Sequence, residues 1–386
     1  MADKITYQDF LKTGPDTIAG RYLRQFWHPV SRAEDIAPGR ARPVKIMDEQ
    51  LTLYRGDSGR CHLLAERCAH RMAPLSLGWV EGDELRCAYH GWKYDATGQC
   101  TDQPSEPRPF CEKIRVQSYP VREYLGLVFS YLGEGTPPPF PETPEFEQED
   151  YLHIVSSVEW PCNYYTQLDN ALDYLHTAML HWHFGFKFTD KYMVEETDYG
   201  VRTYVDGLSD KEWYYCQGVY DMPTVHEWAA PPRPGERVGQ IARAWRVPVD
   251  DFHHLRLHVD VVPLKGREAE QYLERIAARQ AQSNARPYKE VSEDVLAGRT
   301  SFADLKNGPF HPQLTNIQDY SVMVGIEPMV GRELHEELGW SDAGVILGRK
   351  IWERELTAFR DGKPQKQWKR PEYLWAEVWQ REATPA

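Results

Sequence analysis

Two places in this 386-residue chain put metal-binding side chains at spacings that can do chemistry. The first is Cys68-Ala-His70, then sixteen residues, then Cys87-Ala-Tyr-His90. Two thiols and two imidazoles on two short loops can enclose a metal centre. A Cys2His2 set serves zinc, but zinc modules keep their cysteines together and their histidines together. Here each loop carries one of each, which suits a two-iron cluster whose irons need different ligands. The second place is Asn170-Ala-Leu-Asp173-Tyr-Leu-His176-Thr-Ala-Met-Leu-His181, followed by Trp182-His183-Phe184-Gly185. Asp173 and His176 are three apart, so a helix puts them on one face. His176 and His181 are five apart, about 140° round an ideal helix. They share a metal only if the helix bends or carries a π-bulge. By spacing alone this pair reads equally well as a satisfied histidine pair in a buried helix.

The surrounding chain must hold these groups. Its length predicts two or three domains. The net charge of −13 disfavours nucleic acid and anionic membrane as partners. No apolar run approaches the roughly 18 residues of a membrane span. The first residues lack a signal-peptide pattern, so the expected location is cytoplasmic. Seven cysteines is an odd count, and in a reducing compartment it favours metal binding over disulfides. Cys61, Cys100, Cys111, Cys162 and Cys216 are expected to be free thiols.

Residues 1–26 read as a helix from the N-cap Thr6 through Leu11, a Gly14-Pro15 break and a second helical piece over Thr17–Phe26. Short β runs follow at Val44–Met47, Leu51–Tyr54, Cys61–Leu64 and Leu127–Leu132, with Gly56–Gly59 as a turn. Three consecutive prolines inside Gly133–Pro141 exclude helix and central strand. The expected division is therefore a helical segment over 1–26, an all-β unit over 27–140 and a second domain over 141–386. In the latter, β runs at Val201–Val205, Trp213–Tyr220, Gly239–Val247 and Leu255–Val262 predict an antiparallel sheet. Residues 267–285 predict a solvated helix, and a last long helix is expected from Ser341 as N-cap to Gly362.

The flanks Cys68-Ala-His-Arg-Met-Ala-Pro-Leu-Ser-Leu-Gly78 and Cys87-Ala-Tyr-His-Gly-Trp-Lys-Tyr94 resemble the Rieske fingerprint. Asn170-x-x-Asp173-x-x-His176-x4-His181, downstream of it, resembles the catalytic domain of Rieske non-haem iron aromatic-ring-hydroxylating oxygenases. Asn316-Ile-Gln-Asp319-Tyr-Ser-Val-Met-Val resembles the family's segment carrying a third iron ligand. The Gly344–Arg349 context resembles the phthalate-dioxygenase-like branch, whose members have one kind of subunit. The resemblance covers most of the chain. It implies an α+β protein, an N-terminal all-β Rieske domain followed by a catalytic domain with an antiparallel sheet flanked by helices, of helix-grip (START-like) type. It implies that Cys68, His70, Cys87 and His90 hold a [2Fe–2S] cluster, and that His176, His181 and Asp319 hold a mononuclear Fe(II). Asp173 is implied to bind no metal. It bridges His90 of a neighbouring subunit to His176, orienting both, in a ring-shaped homotrimer or a multiple of it. Asp250-Asp251 and His183 are rival ligands, expected at the surface and in packing respectively.

The resemblance further implies an NAD(P)H-dependent reductase, a ferredoxin or both as electron source. Dioxygen is the co-substrate, and the product is a hydroxylated, dihydroxylated or O-dealkylated aromatic, from an aromatic acid or aryl ether. For the substrate site the residues offer Arg243. Alternation puts it on the apolar face with Ile241, Trp245 and Val247. A buried arginine needs an anion, either a substrate carboxylate or an internal Asp or Glu. Asn170, Arg202 and His258 are weaker candidates. Competing readings are an oxygenase for a non-aromatic substrate such as a quaternary amine, a Rieske electron carrier without oxygenase activity, and a zinc-stabilised binding protein.

Overall fold

The computed structural model describes residues 4–205, 218–230, 240–326 and 335–375. Two short helices open it, α1 (Tyr7–Leu11) and α2 (Ile18–Leu23), and each begins at a threonine. The Thr6 N–H donates to the Asp9 carboxylate at 2.8 Å. The Thr17 hydroxyl accepts from the Gly20 N–H at 3.1 Å. These contacts satisfy amide donors that a helix start leaves open. The break between the helices falls at Gly14-Pro15, as expected.

Eleven strands follow: β1 (Trp27–Arg32), β2 (Arg40–Ile46), β3 (Glu49–Arg55), β4 (Cys61–Ala65), β5 (Trp79–Glu81), β6 (Glu84–Arg86), β7 (Lys93–Tyr94), β8 (Cys100–Asp102), β9 (Ser118–Tyr119), β10 (Val121–Tyr124) and β11 (Leu127–Tyr131). They form three antiparallel sheets, β2-β3-β4-β9, β5-β6-β7-β8 and β1-β11-β10. The small sheet carries the Cys68 loop ahead of β5 and the Cys87 loop between β6 and β7. A core of its own, with Tyr54, Leu64, Leu75, Leu85, Trp92 and Tyr94, lies beneath both loops. The proline-rich stretch 133–141 holds neither helix nor strand. The core does not stop there. The β1-β11-β10 sheet leans on the second half of the chain, with Phe129 edge-on to Trp245 at 5.5 Å.

That second half is built on a seven-stranded antiparallel sheet. Its strands are β12 (Leu152–Trp160), β13 (Tyr192–Glu196), β14 (Gly200–Val205), β15 (Gly218–Asp221), β16 (Val225–Ala230), β17 (Gln240–Pro248) and β18 (His254–Val262), in the order β12-β18-β17-β16-β15-β14-β13. The expected runs at 201–205, 239–247 and 255–262 lie in β14, β17 and β18. Of the fourth, Gly218–Tyr220 lies in β15 and 213–217 lie outside the described residues. Strands β12, β13 and β16 carried no clear expectation. β16 is central and packed on both faces, so its sequence shows no apolar–polar alternation.

Helices α3 (Tyr164–Leu172), α4 (Thr177–Leu180), α5 (Gly266–Asn284), α6 (Tyr288–Leu296), α7 (Phe302–Asn307), α8 (Leu314–Gly325) and α9 (Ala343–Arg360) complete the fold. α5 is solvated as expected, with Ser283 its one buried residue. α9 starts later than expected. Trp340–Asp342 first forms a 3-10 turn closed by the Gly339 N–H on the Asp342 carboxylate at 2.7 Å, so the N-cap is Asp342 and not Ser341. One sheet face meets α3, α8 and α9: Trp160 packs on Tyr320 at 5.3 Å, and the Trp352 indole N–H donates to the Tyr220 hydroxyl at 3.1 Å. Among the described residues no helix is long and apolar enough to cross a membrane. The six described cysteines are all free, and Cys216 lies outside the described residues.

Candidate functional site

The first donor set sits at one end of the small sheet. Backbone hydrogen bonds close each loop: Cys68 N–H to Ala73 O and Met72 N–H to Cys68 O at 2.9 Å, Cys87 N–H to Trp92 O at 2.8 Å, Gly91 N–H to Cys87 O at 3.1 Å. Gly91 holds φ +77, the left-handed turn that lets its loop double back. Both thiols are buried, Cys68 at 1 % and Cys87 at 2 % exposure, while the histidines stand at the rim. The His70 and His90 rings lie 4.6 Å apart, and His70 stacks on Trp92 at 4.5 Å. The Tyr94 hydroxyl lies 3.1 Å from Cys68 Sγ. Burial pushes the Cys68 thiol up and the neighbouring Cys87 adds to this, so the two sulfurs crowd a buried space that a cation would relieve. Among the described residues these four donors do not close within the 4.8 Å that gathers His176, His181 and Asp319. A single tetrahedral zinc would draw four donors closer than that. A two-iron cluster, sulfur on one iron and imidazole on the other, fits the wider spread.

At the second place the expected single helix is absent. α3 ends at Leu172, and Asp173 is extended at φ −96, ψ 95. Its Oδ1 accepts the Leu175 and His176 N–H groups at 3.1 and 3.2 Å and so starts a new turn. His176 and His181 then flank the one-turn α4, with their rings 5.3 Å apart. The bend required by the five-residue spacing is thus a break, not a π-bulge, and Asp173 and His176 do not share a helix face. α9 fixes where α3 ends. A Cβ on Gly344 would lie 2.2 Å from the Leu172 carbonyl oxygen, and one on Gly348 2.4 Å from Leu172 Cδ1. Arg349 of α9 also grips the Asp169 carboxylate at 2.6 Å.

Asp319 arrives on α8 from the other side. Its Oδ1 lies 3.2 Å from His181 Nε2 and 3.9 Å from His176 Nε2, and it is buried without a hydrogen bond. Burial pushes this carboxyl up, but the close approach and charge of His181, with His176 and Arg256, hold it below its usual range. Each imidazole has its other nitrogen engaged. His176 Nδ1 bonds the Asp173 carbonyl and His181 Nδ1 bonds Gln318 Oε1 at 2.8 Å, which makes each Nε2 the acceptor nitrogen that a metal would take. An orphaned buried oxygen facing two such nitrogens fits the two-histidine, one-carboxylate set of Fe(II). Gln318 was missed in the sequence; its neighbour in the chain is Asp319. The Asp173 carboxylate is 3.7 Å from His176 Nδ1, and Asn170 Nδ2 is 3.3 Å from His176 Nε2.

The rivals lie elsewhere. Asp250 binds Lys45 and His253, each at 2.9 Å, and Asp251 accepts the Thr13 N–H at 3.1 Å. His183 Nε2 meets Thr315 Oγ1 at 3.1 Å.

Arg243 takes the internal acidic partners that the sequence left open, not a substrate carboxylate. It lies on the sheet face turned away from α3, α8 and α9, and its guanidinium is held by the buried Asp221 and Glu227 at 2.8 and 2.5 Å. Burial pushes Asp221 up to about 6 against the pull of Arg243. Arg202, paired in register with Val219, shares that outer face and stacks over Tyr204. Strand register puts other residues on the helix side: His226 and Trp228 on β16, Ala242, Ala244 and Arg246 on β17, Arg256, His258 and Asp260 on β18. His258 is therefore on the metal side. It pairs with Asp260 at 3.2 Å and packs on Trp228 at 4.9 Å. Tyr174, just beyond Asp173, meets His226 Nε2 at 3.1 Å.

The cluster-type loops on a β unit, and a two-histidine, one-carboxylate set below a helix-covered antiparallel sheet, define a Rieske protein with a mononuclear iron centre. Comparison with known proteins agrees. Residues 26–120 match the Rieske [2Fe-2S] domain family. The chain is 28 % identical to the 5,5'-dehydrodivanillate O-demethylase oxygenase subunit of Sphingobium sp., covering 92 % of this chain and 80 % of that one. It is 27 % identical to the phthalate 4,5-dioxygenase oxygenase subunit of Pseudomonas putida, covering 90 % and 84 %. Its fold superposes on the oxygenase in an oxygenase–ferredoxin complex of carbazole 1,9a-dioxygenase with a TM-score of 0.64 at 19 % identity, covering 91 % and 96 %. The chain thus carries a Rieske [2Fe-2S] domain and is similar over most of its length to oxygenase subunits of this kind.

Proposed function

We propose that this chain is the terminal oxygenase component of a Rieske system that hydroxylates, dihydroxylates or O-dealkylates an aromatic acid or aryl ether. The observation that carries it is the convergence of His176, His181 and Asp319 donors within 4.8 Å in a chain that also bears the Cys/His loops. An electron carrier has no use for that triad. When bound, the cluster supplies single electrons and the ferrous ion supplies the chemistry of dioxygen reduction. The chain's own residues do the rest. Cys68, His70, Cys87 and His90 hold the cluster in the unit over 27–140. His176, His181 and Asp319 hold the iron in the unit over 141–386. The Asp173 carbonyl and Gln318 keep both imidazoles in the metal-binding tautomer. The named relatives, an aryl O-demethylase and a phthalate dioxygenase, support the aromatic substrate.

A reductase or ferredoxin delivers the electrons, as the ferredoxin complex of the carbazole oxygenase supports. The working form is a homotrimer or a multiple of it. Among the described residues no hydrogen bond or ion pair joins His90 to Asp173 within one chain. Large apolar side chains stand exposed beside both: Met72 (63 %), Leu77 (68 %) and Tyr89 (57 %) around the cluster loops, and Met179 (67 %) beyond Asp173. Such patches mark contact surfaces, and a second copy would bring the two together. The test is oxygen uptake by the reconstituted system across a panel of aromatic acids and ethers. Uptake that depends on one of them and yields its oxygenated product is expected. A protein that passes electrons yet consumes no oxygen with any of them overturns the proposal.

A further inference from the structure

Arg246 and Arg256 face each other directly across β17 and β18, on the sheet side that meets the metal triad. Like charges at opposed positions of an antiparallel pair repel, and a buried guanidinium without an anion is costly. Five other arginines of this chain obey that rule. Arg24, Arg55, Arg243, Arg349 and Arg370, all well covered, each hold a carboxylate at 3.3 Å or closer. These two do not. Among the described residues the Arg256 side chain makes no hydrogen bond or ion pair; it is half-buried, and its Nε is buried without a partner. Arg246 is 5 % exposed and donates only to neutral oxygens, Gln167 Oε1 at 3.3 Å and the Ala244 carbonyl at 3.0 Å.

The carboxylates on this side are engaged. Asp260 pairs with His258 at 3.2 Å and accepts from Gln240. Asp319 faces His181 at 3.2 Å. Burial, with Arg256 opposite, pulls Arg246 down to about 9. Arg256 is likewise lowered by burial, against the attraction of Asp319 and Asp260. Both arginines thus feel Asp319, a residue of the metal triad, while lacking a carboxylate of their own. Beside the pair on the floor lies the short side chain of Ala244, with His226 and His258 in register on either side of it.

We propose that Arg246 and Arg256 are the substrate's anion clamp, together binding a carboxylate of the aromatic substrate from the sheet floor beneath the iron site. A planar carboxylate offers two oxygens to two forks, which suits this opposed pair. The inference rests on the proposed oxygenation of an aromatic. It selects the acids from that proposal and moves the anion site from Arg243 to the other face of the same strand.

The test uses the iron-loaded holoenzyme under nitrogen. Calorimetric titration compares matched acids and amides: benzoate with benzamide, 3-methoxybenzoate with 3-methoxybenzamide, and phthalate with its diamide. At least one acid is expected to bind roughly tenfold or more tighter than its amide. Arg256→Met should abolish that preference, and Arg256→Lys should restore part of it. A second readout needs no ligand. Ligand-free Arg256→Met should melt at or above the wild-type temperature, because a repulsive opposed pair is removed. Several degrees of destabilisation would mean an internal partner and overturn the clamp. So would amides binding as well as acids in the wild type, or inorganic phosphate raising the wild-type melting temperature as much as the acids do. Oxygen uptake with neutral aromatics but no acid would sink the clamp and leave the oxygenase standing. Acid preference without oxygen uptake would do the reverse.

Discussion

His176 and His181, at the two ends of α4, and Asp319 on α8 reach one point, and each imidazole arrives with its tautomer set by a neighbour. Removing one donor should empty the site without touching the cluster, whose donors lie on the two loops of the small sheet. Asp319→Ala is expected to lose the mononuclear iron and all turnover while keeping the visible spectrum of the cluster. Asp251→Ala, which loses only the carboxylate that caps Thr13, should keep both. Iron analysis on the two variants checks this, and reversed outcomes would displace Asp319 as third ligand. Arg243→Met is expected to act on stability. It strips the buried Asp221 of its cation, while Glu227 keeps Arg370, and should cost about 3–5 kcal/mol in denaturant unfolding, with no selective loss of acid over amide binding. The candidate ligands at the Cys/His loops could be picked out in the chain, because each pair lies within four residues of sequence. The orientation of Arg243 could not. Its apolar face and the polar face of Ala242, Ala244 and Arg246 are equally regular, and only the packing of α3, α8 and α9 says which one meets the metal.

At the level of elements, the site depends on where α3 stops. Gly344 and Gly348 let α9 press against Leu172, one residue before Asp173. Gly348→Ala would drive a methyl into the Leu172 side chain. It should cost about 1–3 kcal/mol and lower mononuclear iron content, with the cluster spectrum unchanged; full iron retention would show that α9 does not set this end. Asp173, His176 and His181 were legible as residues, but the break between α3 and α4 was not, since it follows from Asp173 capping Leu175 and His176. Two buried histidines predict the acid response. Burial pulls His28 down to about 4 and His254 down to about 3. Both stay neutral in the folded protein, whereas the unfolded chain protonates them below about pH 6.5. Their contribution is therefore complete above that pH and is lost as pH falls toward the folded values, about 3 kcal/mol for each by pH 4. Unfolding measured between pH 7 and 4.5 should show a shallower acid slope for His28→Gln than for wild type. Parallel slopes would contradict the assignment.

Over the whole molecule, the proline-rich stretch was legible as a break in secondary structure, but not the way β1, β10 and β11 lean back across it onto β17. That contact joins long-range partners which no local pattern records. The same limit applies to electron transfer, because among the described residues no hydrogen bond or ion pair joins His90 to Asp173 within a chain. Co-expression of His90→Ala with His176→Ala should return part of the activity in mixed oligomers, since some interfaces then pair an intact cluster with an intact iron site. Tagged mixed oligomers that stay inactive, although the His90→Ala chains keep their mononuclear iron, would place transfer inside one chain. The claim beneath all of this is that one chain holds two separate iron centres. Iron and acid-labile sulfide counted on purified wild type, His176→Ala and Cys87→Ala test it most directly. The expected wild-type content is about three irons and about two sulfides per chain. His176→Ala should lose one iron and no sulfide, and Cys87→Ala should lose two irons and both sulfides but keep the third iron. Joint loss of all iron in either variant, or zinc in place of iron at the Cys/His loops, would contradict the account.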